Sequence, residues 1–157
     1  MSAYSRHIDV VPTMDTSAYA NGDVWFATVE VPLGVNARNG SIYLTDVTIL
    51  DANDQAAAIY DLYILRSNVA LGTVNAAVSI SDANAKEIIG RVRFDGTASA
   101  PEITSDLIGS RLYHKNMGNV GLPIMVKPKE GNNTSIYIAG VVVTGTPTQT
   151  ASGINVK

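Results

Sequence analysis

Two histidines, His7 and His114, are the first residues to consider for proton transfer, because imidazole titrates near neutral pH. Neither stands beside a serine or an acidic motif that spells out a catalytic triad. Both are read as edge or surface residues. The chain has 14 acidic residues, and most of them fall at turns or caps, where Asp accepts backbone N–H groups. Only Asp46 and Asp61 lie inside strand-like runs. Two carboxylates can hydrolyse a glycosidic bond, but solvent-facing positions are the simpler reading. Asp51, Asn53 and Asp54 offer hard oxygen ligands suited to calcium. They lack the spacing of a twelve-residue calcium loop and its closing Glu. There is no phosphate loop, GxGxxG or GxSxG motif. There is no cysteine, which removes thiol catalysis, thiolate zinc and disulfides. The expectation is a chain with no catalytic residue, no metal and no cofactor, and so not an enzyme.

Aromatic side chains on a sheet can stack on sugar rings. Trp25, Tyr43, Tyr60, Tyr63 and Tyr137 lie in strand runs, where core packing or a protein interface competes with that role. The net charge is −3 and the pI about 5.2. Phosphate binding needs clustered Lys and Arg, so nucleic acid is not an expected partner. No window approaches the ~18 apolar residues of a membrane span, and Met1 to His7 do not read as a signal peptide. A soluble chain made in the cytosol is expected. Charged residues make up only 16% of the sequence, against about 25% in ordinary domains. Its surface must be largely Ser, Thr, Asn, Gly and Ala, which suits a subunit that buries surface against copies of itself.

The elements that must position these residues are strands. Val, Ile and Thr make up 44 of the 157 residues, and β-branched types favour strands. Val24 to Val31 alternates, with Trp25, Ala27, Val29 and Val31 on one face, and Pro32 and Gly34 end it. Asn39-Gly40 signals a tight turn. Ser41 to Asp51 changes phase, which predicts a bulge near Thr45-Asp46. Ala58 to Arg66 puts Tyr60, Leu62 and Ile64 on one face. Ser81 or Asp82 caps a predicted short helix through Ile89, stopped by Gly90. Arg91 to Phe94 alternates before an Asp95-Gly96 turn. Leu107 to His114 reads as one strand, Asn116 to Gly121 as a loop, Leu122/Ile124/Val126 as a strand face, and Glu130 to Asn133 as a turn. Thr134 to Thr144 is apolar on both faces, which predicts a second sheet on one side and a loop or another chain on the other. Residues 145–157 read as a flexible tail. The whole predicts one all-β domain over 1–157, an antiparallel β-sandwich of jelly-roll character with at most one short helix.

The segment Pro12-Thr13-x-Asp15-Thr16-Ser17-Ala18-Tyr19-Ala20-x-Gly22-Asp23-Val24 resembles the opening of small virion structural proteins of tailed bacteriophages. Further matches are Leu44-x-x-Val47-x-Ile49-x-Asp51 with Gln55, then Ile59-x-Asp61-Leu62. The resemblance covers about the first 65 residues, and beyond them only the β character matches. It implies a head-decoration, or cement, protein: a β-sandwich homotrimer that sits on the capsid exterior and clamps subunits of the major capsid protein. The alternative is a carbohydrate- or receptor-binding module of a tail fibre. No catalytic residue is implied. Pro12, Asp15, Thr16, Tyr19, Gly22 and Asp23 also have a physical reading. Asp15 and Thr16 can close an Asx or ST turn, Tyr19 can pack over it, and Asn21-Gly22-Asp23 permits a reversal. The segment 1–11, through Tyr4, Arg6, His7 and Ile8, is the candidate arm that reaches a partner.

Overall fold

The structure, a computed structural model, describes residues 6–32, 40–53, 58–96, 103–107, 110–116, 122–129 and 134–157. Strands dominate: β1 (Val24–Pro32), β2 (Ile42–Leu44), β3 (Asp46–Asp51), β4 (Ile59–Leu65), β5 (Ile88–Asp95), β6 (Ile103–Leu107), β7 (Ser110–Asn116), β8 (Ile124–Val126), β9 (Ser135–Thr144) and β10 (Ile154–Val156). One helical turn, α1 (Asp82–Ala85), precedes β5. The strands build a four-stranded sheet β1-β9-β4-β5, a four-stranded sheet β10-β3-β7-β6 and a two-stranded ribbon β2-β8. Every named strand pair is antiparallel. The fold is all-β and sandwich-like. The strand orders do not by themselves make it a jelly roll.

The two large sheets share one apolar core. Trp25, Phe26, Tyr60, Leu62, Ile64, Val92 and Phe94 come from the first sheet, and Val47, Ile49, Tyr113, Ile154 and Val156 from the second. Aromatic rings join the layers. Trp25 stacks on Tyr60 at 3.8 Å between centroids and 9° between planes. Tyr113 meets Tyr60 edge-on at 5.7 Å and Phe94 at 6.4 Å. Such pairs add stabilisation beyond the area they bury. Gly140 of β9 makes room for this cluster, since a Cβ there would run into the Phe26 ring and come within 2.9 Å of Trp25.

The second face of β9 is covered by the chain's own loop between β4 and α1. Leu71 packs with Val24, Leu65, Ala139 and Val141, flanked by Val69 and Ile80. The two faces of β9 are those the alternation assigned: Ile136, Ile138 and Val142 on the main core, Ala139 and Val141 under the loop.

Several local expectations are corrected. In β1, register slips lie between Val24 and Phe26 and between Phe26 and Val29. Trp25 and Phe26 are therefore both buried, while Ala27 is exposed. The phase change at Thr45 is not a bulge. There the chain leaves the β2–β8 ribbon and enters β3 of the second sheet, so each half alternates against a different neighbour. The predicted helix through Ile89 stops at Ala85, because Ile88 and Gly90 pair with Leu65 and Ile64 of β4. Ser81 caps it as expected, its Oγ accepting the Asn84 N–H at 3.3 Å. Leu107 to His114 spans parts of two paired strands, β6 and β7. The 145–157 tail is built into the fold: β10 pairs with β3, and Ile154 and Val156 are buried. The arm is likewise partly absorbed, since Val10 exchanges two 2.8 Å backbone bonds with Val156. Predictions on Tyr4, Gly34, Asn39, Asp54, Gln55, residues 117–121 and the 130–133 turn lie outside the described residues.

Candidate functional site

The segment that carries the resemblance folds into a hydrogen-bonded knot. Pro12 and Met14 are buried, and Met14 forms an isolated bridge with Phe26. Asp15 then closes an Asx turn: its Oδ1 accepts the Ser17 N–H at 2.7 Å. The same oxygen accepts Asn75 Nδ2 at 3.0 Å, which ties the knot to the loop over β9. The Ser17 bond, and then the Asn75 bond, hold the Asp15 carboxyl below its ordinary range. The Asp15 N–H donates to the Tyr19 hydroxyl at 2.8 Å, and that hydroxyl donates to the Asp15 carbonyl at 3.3 Å. Tyr19 is 1% exposed, and burial pushes its phenol up.

Asp23 completes the knot, its Oδ2 accepting the Ala20 N–H at 2.7 Å. Gly22 between them adopts φ +87°, where a side chain would be strained. Backbone bonds then lock the unit onto β9 and the chain end: Gly22 N–H to Val142 O at 2.7 Å, Tyr19 N–H to Pro147 O at 3.0 Å, and Met14 N–H to Ala151 O at 3.0 Å. Thr16 is exposed. Apart from Thr16, these residues build a scaffold.

The candidate arm residues divide. Arg6 and His7 are exposed, whereas Ile8 packs against the main core. His7 Nε2 lies 3.8 Å from Asp9, which also meets Lys157 at 3.6 Å. His114 on β7 pairs with Asp46 on β3 at 2.8 Å. Asp46 and Asp61 each pair with a different cationic partner, Asp46 with His114 and Asp61 with Arg93 and Arg91. Asp61 corrects the solvent-facing expectation. It is 3% exposed, with Arg93 Nε at 2.8 Å, Arg93 Nη2 at 2.9 Å and Arg91 Nη1 at 3.4 Å. The hydrogen bonds it donates to Asp61 raise the Arg93 guanidinium above its ordinary value.

The carboxylate of Asp51 is fully buried. Its oxygens accept the Asn53 N–H at 2.8 Å and Gln149 Nε2 at 3.3 Å, and Asn53 Nδ2 donates to Gln149 at 2.6 Å. This network fastens the end of β3 to residue 149. Among the described residues no group of three or more His, Cys, Asp or Glu side chains gathers to hold a metal. Of the aromatics considered for sugar stacking, Trp25 and Tyr60 are core, Tyr63 and Tyr137 are half-buried, and Tyr43 is 65% exposed.

One cluster escaped the sequence reading. Glu87 is buried and receives Ser67 Oγ at 2.6 Å, Arg66 Nε at 3.0 Å and Lys129 Nζ at 3.1 Å. Those bonds, Ser67 first, hold its carboxyl at about 2. Assigning Glu87 to a helix hid this, since the strand that places it beside Arg66 begins only at Ile88. Comparison with protein-family models, curated proteins and solved structures gives no match to this chain.

Proposed function

We propose that this chain is a structural virion subunit that binds the outside of a bacteriophage capsid and stabilises the shell. The observation that carries the reading is the knot at 12–23. The residues that resemble phage virion proteins are spent on internal hydrogen bonds and burial, so the likeness is one of scaffold rather than of a catalytic site. The low charge, 16% of residues, supports a subunit that covers part of its surface with copies of itself, as a homotrimer of jelly-roll type would. The mechanism is added interface. A trimer seated across neighbouring major capsid protein subunits buries surface that must be re-exposed before the lattice ruptures. An interface of ~1,600 Å² suffices for stable attachment, and attachment through several subunits multiplies it.

The test is sedimentation of the purified chain with expanded capsids that lack it. Co-sedimentation, with shells that withstand higher temperature, is the expected result. Light scattering should give about 50 kDa, three chains of 16.6 kDa. Failure to bind such capsids, together with retention on a glycan array, would replace this reading with the tail-fibre one. The exposed Tyr43 is the one observation that favours that alternative.

A further inference from the structure

The β2–β8 ribbon carries a feature that neither the core nor the knot uses. Tyr43 and Met125 are directly opposed in its register, so their side chains share one face. They are 65% and 59% exposed, two of the largest exposed apolar side chains among the described residues. On the other face of the ribbon, Ile42, Leu44 and Ile124 pack against the main core. Met125 also lines an open cleft of about 580 Å³, together with Arg66, Ile89, Lys127, Pro128 and Lys129. Three cations therefore border an apolar floor, with one described carboxylate, Glu87, among them. Glu87 is buried beneath Arg66 and Lys129 and fixes both. Its charge offsets one of the three, which leaves an excess of positive charge among the described residues at the cleft, on a chain whose net charge is −3.

We infer that this cleft, with Tyr43 and Met125 at its rim, docks an acidic segment of a partner protein that also carries an apolar side chain. Charge complementarity names the occupant. The cations call for Asp or Glu, and the Tyr–Met pair calls for an apolar or aromatic residue beside them; Tyr, Met and Arg are the types enriched in interface cores. A second copy of this chain is the competing occupant, and the oligomeric mass of the variants separates the two. The inference rests on the capsid reading only for the source of the segment, which would then be the shell subunit.

The probe is a short fluorescein-labelled peptide alternating Glu with Leu and Phe, followed by fluorescence anisotropy against the full chain. Its counterpart with Lys in place of Glu is the control. The expected result is binding of the acidic peptide alone, weakened by added salt. Lys127→Glu and Tyr43→Ser, both at exposed positions, should each weaken it about tenfold. No binding to the unaltered chain, or binding to both variants as tight as to the unaltered chain, overturns the inference. So does a change in oligomeric mass in the variants without peptide binding, since the face would then be a self-contact. The capsid reading fails separately, by loss of co-sedimentation of the unaltered chain. Capsid binding that survives both substitutions would rule out the shell subunit as the source of the segment and leave the capsid reading standing.

Discussion

Asp61 is a buried carboxylate whose charge is balanced by guanidiniums reaching in from the next strand. Arg93 makes two bonds below 3 Å, and Arg91 one at 3.4 Å. Arg93→Met should cost about 1–3 kcal/mol, because it leaves a charge that is 3% exposed with one long partner. Arg91→Met should cost less than about 1 kcal/mol, as for exposed pairs. Urea denaturation of both variants checks the order, and equal losses would contradict it. Glu87 supplies a pH signature. Its folded carboxyl titrates at about 2, below its ordinary 4.5. Between those values the unfolded chain binds more protons, so the Glu87 contribution is full above about 4.5 and is lost as pH falls toward about 2. The thermal midpoints of the native chain and Glu87→Gln should therefore converge on acidification through that window. The alternation of Arg91-Val92-Arg93-Phe94 was legible in the sequence. Its pairing with Asp61 was not, because cross-strand register depends on turns that the sequence does not specify.

At the scale of elements, period-two patterning found most strands but misjudged where the chain changes partners. Thr45 and Lys86 are such places. At each, local propensity points one way and the neighbouring strand decides. The 145–157 segment failed for the same reason. Its apolar residues, Pro147, Ala151, Ile154 and Val156, are too few to signal a strand, and β3 supplies the pairing that makes one. Ile154 is fully buried there. Ile154→Ala should cost about 2–5 kcal/mol, far more than a substitution in a loose end. Tyr19→Phe should cost about 1–2 kcal/mol, because the hydroxyl's two bonds to the Asp15 backbone are lost beneath an otherwise unchanged ring. Chemical denaturation of both tests whether the knot and β10 are integral. A neutral Ile154→Ala would return the segment to a tail.

Across the whole molecule, β9 is the strand on which both packed layers meet. Its two apolar faces were legible in the sequence, since Thr134 to Thr144 has no polar side. What covers the second face was open, because a loop and a neighbouring chain bury the same residues. The cover proves to be the loop through Leu71, held by backbone bonds from Val24 to Ala76, Asn75 to Val24 and Ser79 to Leu71. This layer joins five buried residues, among those described, to a core that is far larger on the other side. Smaller buried clusters open at lower free energy than the global transition. Leu71→Ala should therefore cost about 2–5 kcal/mol and act unevenly. Hydrogen exchange should show the Val24, Asn75 and Ser79 amides losing protection first, while the β3–β7 and β4–β9 ladders keep theirs until global unfolding. Loss of all of these together would make loop and sandwich one cooperative unit. The uneven result would make the loop a separately opening cover, leaving the sandwich intact to carry the knot, the ribbon and the cleft.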